Sequence, residues 1–464
     1  MSQPGPNSSE TRSPARRLFL IVTVALLIRL AVIPFTINDI LSPARDHWHF
    51  GYEEGRIARS IATGKGFGSP LFGETGLTAW TNPIYPYILA AVFKIFGVYT
   101  AASAWVALGL NGLFSALTCI PIYFSSRKVF RARAGWWAAW LWCLFPYAIY
   151  LSAGRVWEYC LDALAMTLVV WVTLEIAEET SLKRWVGYGF VWGLAGLTNA
   201  VILSTLPLML LWIVLRRRET MLEWPRRLAI ALLALVVTVS PWFVRNYATF
   251  GRFIPFRDAF WLAFTEGNTG DTSDLYPDWT NPSNNDGLLE KYRTLGELAF
   301  MQERRAVGLA FLKDHTGLFV RLCVKRAAYV WTGYWSFSKE YLENEPTEIP
   351  NIGFCTALTV LMILGIRRAW RAGPVVFVEA IPFLIVVLVY PLIYYIVYPG
   401  IGYKHPVDPM IAVFIAYWAA GRRRNQGSGA GISMVDQAPD YSGRDATVQA
   451  ATSGDLGAGP ASPA

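Results

Sequence analysis

The stretch that decides the topology is WVGYGFVWGLAGLTNAVILSTLPLMLLWIVL, residues 185–215. Its 31 residues carry no charge. That is too long for one membrane crossing and short for two, because a spanning helix takes about 20 apolar residues. The flanks resolve the count. Lys183 and Arg184 precede the stretch and Arg216, Arg217 and Arg218 follow it. Short loops rich in Lys and Arg stay on the cytoplasmic side, so both flanks share a side only if the stretch crosses twice, turning near Thr198-Asn199.

The same logic orders the rest of the chain. Apolar runs at 18–35, 101–124, 135–152, 159–177, 228–244, 352–366, 374–398 and 406–420 join the two halves of the central stretch to make ten expected crossings. Further basic clusters then fall on the same face: Arg12/Arg16/Arg17, Arg127/Lys128/Arg131/Arg133, Arg226/Arg227, Arg367/Arg368/Arg371 and Arg422/Arg423/Arg424. Both termini are expected to be cytoplasmic. The formal net charge of +8 is therefore mostly a topology signal, and a nucleic-acid partner is not implied. With 54% hydrophobic and 16% charged residues, against about 25% charged in soluble chains, a soluble enzyme, a disordered hub and a disulfide scaffold are excluded. Five Cys show no disulfide or zinc spacing.

The expected fold is an all-α polytopic membrane protein of about ten transmembrane helices with juxtamembrane helices on the outer face. A polar leader, 1–17, precedes an N-terminal transmembrane module, 18–248, whose first outer loop is 38–98. A second outer segment, 249–351, is followed by C-terminal helices, 352–420, and a Gly/Ser/Ala-rich tail, 421–464, expected to be disordered. The second outer segment reads as helical over 294–313 and 317–335. The latter sets Leu318, Leu322 and Ala327 against Arg321, Lys325 and Arg326, an amphipathic pattern suited to lying on a bilayer. Arg29, inside the first apolar run, reads as a packed structural residue.

Ionisable residues are scarce in the spans and gather in short outer loops: Asp46, His47, His49, Glu53, Glu54, Arg56 and Arg59, then Arg155 and Glu158, then Arg245, Asn246 and Arg257, then Lys404, His405 and Asp408. A transporter would place such groups at the bilayer midplane; a membrane enzyme working at the water interface places them here. The motifs in these loops resemble those of the GT-C superfamily of membrane glycosyltransferases, which includes the protein mannosyltransferases and the lipid A aminoarabinose transferases. The similar features are the acids Glu53/Glu54, the helix end at 58–67, Pro83-Ile84-Tyr85-Pro86, PYAIYLSAGRVWE at 146–158, PWFVRNY at 241–247 and YKHPVDP at 403–409. The first loop departs from the family pattern, because its nearest Asp is Asp46 while the alignable acids are Glu53 and Glu54.

That resemblance implies sugar transfer from a polyprenyl-phosphate carrier to an envelope acceptor (a glycolipid, polysaccharide or protein) on the outer face of the cell membrane. It implies Glu53 or Glu54 as general base, worth roughly 10²- to 10⁴-fold, with Glu53 favoured by its place one turn before Ile57. Glu158 would orient acceptor or sugar. Arg245, Lys404 and His405, then Arg56 and Arg59, would hold the donor phosphate; Trp80, Tyr85 or Trp261 would stack a sugar ring. No aspartate cluster calls for an obligatory metal, although a divalent ion serves some relatives. A transporter or lipid flippase of the envelope is the alternative reading, and a non-catalytic envelope scaffold a third.

Overall fold

A computed structural model describes residues 14–42, 50–216, 223–270, 272, 280–335, 337, 339, 342 and 348–422. Most of the expected leader, the tail beyond residue 422, and Asp46, His47 and His49 lie outside the described residues. Among those described the chain is helical, with one isolated antiparallel bridge between Gly68 and Leu77.

Apolar helices make the scaffold. These are α1 (Pro14–Ile40), α4 (Ala101–Leu117), α5 (Cys119–Cys143), α6 (Pro146–Gly154), α7 (Tyr159–Ile176), α8 (Leu182–Thr198), α9 (Leu206–Arg216) and α10 (Trp224–Phe250). Four more follow: α15 (Glu348–Arg371), α16 (Pro374–Val389), the short α17 (Leu392–Ile396) and, after the four-residue α18 (Ile401–Lys404), α19 (Asp408–Arg422). The outer layer consists of α2 (Tyr52–Ala62), α3 (Ile84–Phe96), α11 (Phe260–Gly267), α12 (Asp286–Leu295), α13 (Glu297–Asp314) and α14 (Thr316–Thr332).

The central stretch breaks where the sequence indicated. Helix α8 ends at Thr198, and Asn199 is extended (φ −148°, ψ 112°). The Asn199 side chain accepts the Val201 N–H at 3.0 Å, which starts a 3-10 turn, Ala200–Thr205, leading into α9. A second break falls in the expected basic turn: Arg131, with φ 71° and ψ 169°, interrupts α5 between two expected crossings.

The chain is a membrane protein, but the count of ten is not carried by helix length. Six helical runs are long and apolar enough to cross alone: Pro14–Ile40, Ala101–Cys143, Tyr159–Ile176, Trp224–Phe250, Ile349–Arg371 and Pro374–Ile396. The second of these holds one expected crossing, 101–124, and the first half of the next, 135–152. Helices α8, α9 and α19 have 17, 11 and 15 residues. Helix α19 is shielded by protein along its buried residues 408–417, so it has no need of a full lipid-facing length.

Arg29 is packed as expected, and the reason is local. Helix α5 stops at Cys143, and Pro146 opens α6 with no N–H to offer the preceding turn. The buried Arg29 guanidinium adds a donor to Trp142 O at 3.2 Å, which also accepts the Phe145 N–H, and donates to Cys143 O at 3.1 Å and to Ser115 Oγ at 2.8 Å. Arg326 departs from its expected place on the polar face of a helix lying on the bilayer. It is fully buried and donates to Asn268 Oδ1 at 3.1 Å, Ile396 O at 3.0 Å and the Gly267 carbonyl. Loop carbonyls turned inward by α11 and α17 need a donor more than the membrane surface does.

Candidate active site

Helix α2 begins with a turn that only its glycines permit. Gly51 is left-handed (φ 91°), and a Cβ on Gly55 would sit 2.2 Å from the Phe50 carbonyl oxygen. The fold-back places Glu53 and Glu54 in the first helical turn, where the helix dipole favours acids. Glu54 is buried, whereas the Glu53 carboxylate stays at the rim, 3.9 Å from the Arg56 guanidinium.

The start of α7 faces this turn. Glu158 flanks its N-terminus and Asp162 follows one turn later on the same side. The Glu54 and Glu158 carboxyls face each other closely enough for each to shift the other's proton affinity. Burial, reinforced by Glu158, holds Glu54 well above the usual carboxylate range. Burial also pushes Glu158 up to about 7. Asp162 Oδ2 accepts from Asn199 Nδ2 at 2.7 Å, so the bend that splits the central stretch also orients an acid of the site. One oxygen each of Glu54, Glu158 and Asp162 is buried with no donor among the described residues.

A fourth acid enters from the outer layer. Glu266 on α11 accepts from Asn281 Nδ2 at 2.7 Å and from Tyr398 OH at 3.0 Å, and burial pushes it up to about 7. The one exposed cation among these acids is Arg257, within electrostatic reach of Glu158, Asp162 and Glu266. No hydrogen bond or ion pair to a described residue engages its guanidinium. Aromatic rings close the flank: Tyr394 stacks on Tyr403 at 5.3 Å, Tyr403 meets Tyr159 at 6.0 Å, and Trp157 stacks on Tyr159 at 5.7 Å.

The expected residues divide. Glu53, Glu54 and Glu158 come together. Arg245 instead binds loop backbone, donating to Thr78 O at 2.6 Å and Phe67 O at 2.8 Å, and thereby ties both strands of the 67–78 loop to α10. Arg56 donates to Pro70 O at 2.7 Å, and Arg59 lies 6.0 Å from the Tyr99 ring centre. Lys404 and His405 turn inward to Asp408, with Lys404 Nζ at 3.8 Å and His405 Nδ1 at 2.9 Å. Trp80 packs in the outer-layer core beside Tyr292. Tyr85 is buried against α4, its hydroxyl on Asn111 Oδ1 at 3.1 Å. Trp261 is half-buried against Phe264.

Three residues of the cluster were not singled out from the sequence. Asp162 carried a usable signal, an acid inside an apolar run. Glu266 sits in a short helix with no such contrast, and Arg257 was one outer-face charge among several. Among the described residues no three His, Cys, Asp or Glu side chains are placed to hold a metal ion.

The fold, a helical membrane scaffold capped by a layer of shorter helices, is similar to that of solved membrane oligosaccharyltransferases. A family model described as dolichyl-phosphate-mannose-protein mannosyltransferase matches residues 81–244. An archaeal oligosaccharyltransferase from Archaeoglobus fulgidus, solved with an inhibitory peptide and a dolichol-phosphate, superposes with a TM-score of 0.54 at 13% identity, over 91% of this chain and 53% of that one. A second structure of the Archaeoglobus fulgidus enzyme, with zinc and sulfate, gives 0.51 at 14% identity, over 88% and 49%. ArnT from Cupriavidus metallidurans, bound to undecaprenyl phosphate, gives 0.41 at 14% identity, over 89% and 79%. This chain thus spans about half the length of the oligosaccharyltransferases it matches. No curated protein matches it by sequence.

Proposed function

We propose that the chain is an integral-membrane glycosyltransferase that moves a sugar from a polyprenyl-phosphate carrier to an envelope acceptor at the outer face of the cell membrane. The observation that carries this reading is the convergence of Glu53, the Glu54–Glu158 pair, Glu266 and the exposed Arg257 where the spans meet the outer layer. The family description naming a dolichyl-phosphate donor, and the dolichol-phosphate bound by the Archaeoglobus fulgidus enzyme, support the carrier class.

In this mechanism the acceptor hydroxyl attacks the anomeric carbon while the bond from that carbon to the phosphate oxygen breaks. The acceptor proton passes to Glu53, which stays partly exposed while Glu54 beside it is buried. The electron pair leaves with the polyprenyl phosphate, whose growing negative charge Arg257 meets. A positioned cation of this kind contributes most where water is excluded. Glu54 and Glu158, sharing a proton, accept or donate hydrogen bonds to sugar hydroxyls without adding a second full charge beside Glu53. Arg245 and Arg56 act indirectly, by holding the 67–78 loop over the site.

Turnover in vesicles containing the full chain tests the reading. With a radiolabelled polyprenyl-phosphate sugar, label should move into a new glycosidic bond. Movement of the carrier across the bilayer without bond formation would instead establish a transporter.

A further inference from the structure

The turn that opens α2 contains two successive residues in the left-handed region. Gly51 (φ 91°) adopts that shape freely, but Tyr52 (φ 47°) does not, because a Cβ there crowds the carbonyl that follows. Such a backbone persists only where its surroundings over-determine it, and it collects at functional sites. Tyr52 stands directly before Glu53 and Glu54. Relaxing its φ to the ordinary negative range would turn the first residues of α2 relative to Phe50, and both acids with them.

Anchors on either side hold the turn. Phe50 is fully buried, edge-on to Phe93 at 5.5 Å and to Tyr99 at 5.4 Å. The Tyr52 ring meets the Trp157 ring edge-to-face at 4.8 Å, and the Tyr52 hydroxyl accepts from Arg155 Nη1 at 3.0 Å. Arg155 is fixed in turn. Its carbonyl accepts from Asn111 Nδ2 of α4 at 2.9 Å, and Asn111 Oδ1 accepts from Tyr85 OH at 3.1 Å. Phe50 thus ties the turn to α3, and Tyr52 ties it to the loop between α6 and α7.

The two loops joined in this way are the two that carry the facing carboxylates. Arg155 and Trp157 stand just before Glu158, as Tyr52 stands before Glu53 and Glu54. We propose that Tyr52 is a positioning residue: clasped by Arg155 and Trp157, its left-handed turn sets where Glu53 and Glu54 stand relative to Glu158. The clasp is a property of the fold. Its effect on sugar transfer rests on the transferase reading above.

The test uses the full chain in nanodiscs and reads hydrogen exchange and sugar transfer together. Tyr52→Phe deletes the bond to Arg155 and keeps the ring. The Gly55 amide, bonded to Gly51 O across the turn at 2.8 Å, should then exchange about three- to tenfold faster. Transfer should lose about ten- to hundredfold in kcat with the acceptor KM unchanged. Arg155→Gln should do the same, and Arg155→Lys should keep part of the rate that Arg155→Gln loses. Tyr52→Phe combined with Arg155→Gln should cost no more than Arg155→Gln alone, because both remove one bond. Unchanged exchange in both single variants, or losses that multiply in the double variant, overturn the proposal. So does a wild-type kcat alongside faster exchange, a result that leaves the transferase reading standing. Faster exchange in a chain that transfers no sugar keeps the clasp and removes that reading.

Discussion

Two carboxyl pairs sit where the spanning helices meet the layer of shorter helices, and they differ in their surroundings. In the first, Glu54 and Glu158 face each other and each keeps an oxygen without a donor, beside the exposed Arg257. In the second, Glu297 shares a proton with Asp258 yet is otherwise saturated. It accepts from Ala79 N–H at 2.6 Å, from Tyr292 OH at 2.7 Å and from the Thr78 hydroxyl. Asp258 in turn donates its own N–H to Ala79 O at 3.0 Å. The second pair is a clasp that pins the end of the first loop to α13. The first has bonding capacity left for a ligand. Burial raises the acids of both pairs, and Asp258 too keeps buried oxygens without a donor among the described residues. Neither a displaced pKa nor an unspent lone pair by itself therefore separates a reactive site from a structural one. What sets the first pair apart is that neither of its acids is saturated by protein donors as Glu297 is.

The largest effect expected from this contrast is on Glu53. Glu53→Gln should lower sugar transfer by roughly 10²- to 10⁴-fold with the protein still folded and inserted; wild-type turnover in that variant would move the base elsewhere. Arg257→Ala should cost about 10²- to 10³-fold and is read as the loss in single-turnover rate with donor saturating. A full rate there would leave Arg257 as surface charge only. A subtler prediction concerns pH. Burial pushes Glu158 up to about 7, so transfer should fall below that pH as the pair takes up its second proton. Glu158→Gln should remove this acidic limb, and a limb that persists in the variant would assign it to another group.

The smallest effect belongs to the clasp and appears in stability alone. Burial, then the neighbouring Glu297, push Asp258 up to about 8, against about 3.9 in an unfolded chain. The folded state therefore keeps a proton that the unfolded state releases, and stability declines as pH rises from about 4 to about 8. Asp258→Asn, which offers Glu297 a permanent N–H donor, should flatten that decline in a thermal-melt series and leave transfer near the wild-type rate. An unchanged slope would show that the proton resides elsewhere.

Much of the scaffold was legible because its causes are local. Apolar runs, basic turns and the Thr198-Asn199 break are written in composition and charge placement, whereas the residue at which α5 breaks, Arg131, is known only from the structure. The acid pair at the start of α2 was equally visible, as was Glu158. Ligand assignments were less so. Arg245, Arg56 and Arg326 look like free cations in a one-dimensional reading, because a sequence does not show which backbone carbonyls are left without a donor. Trp80 and Tyr85 look like sugar platforms for the same reason, since an aromatic residue in a loop motif reads alike whether it lies in a core or over a groove.

The sequence by itself determined a helical membrane protein, the positions of its main breaks and the loops in which chemistry would gather. It did so through hydrophobic run length, charge placement and helix capping, which act over a few residues. Only the tertiary structure decided that Glu54 meets Glu158 across 104 positions of the chain, that Asn199 reaches Asp162, and that Arg257 rather than Arg245 has an unspent guanidinium. Those outcomes depend on which buried polar groups satisfy one another, and that pairing exists only once the helices have packed.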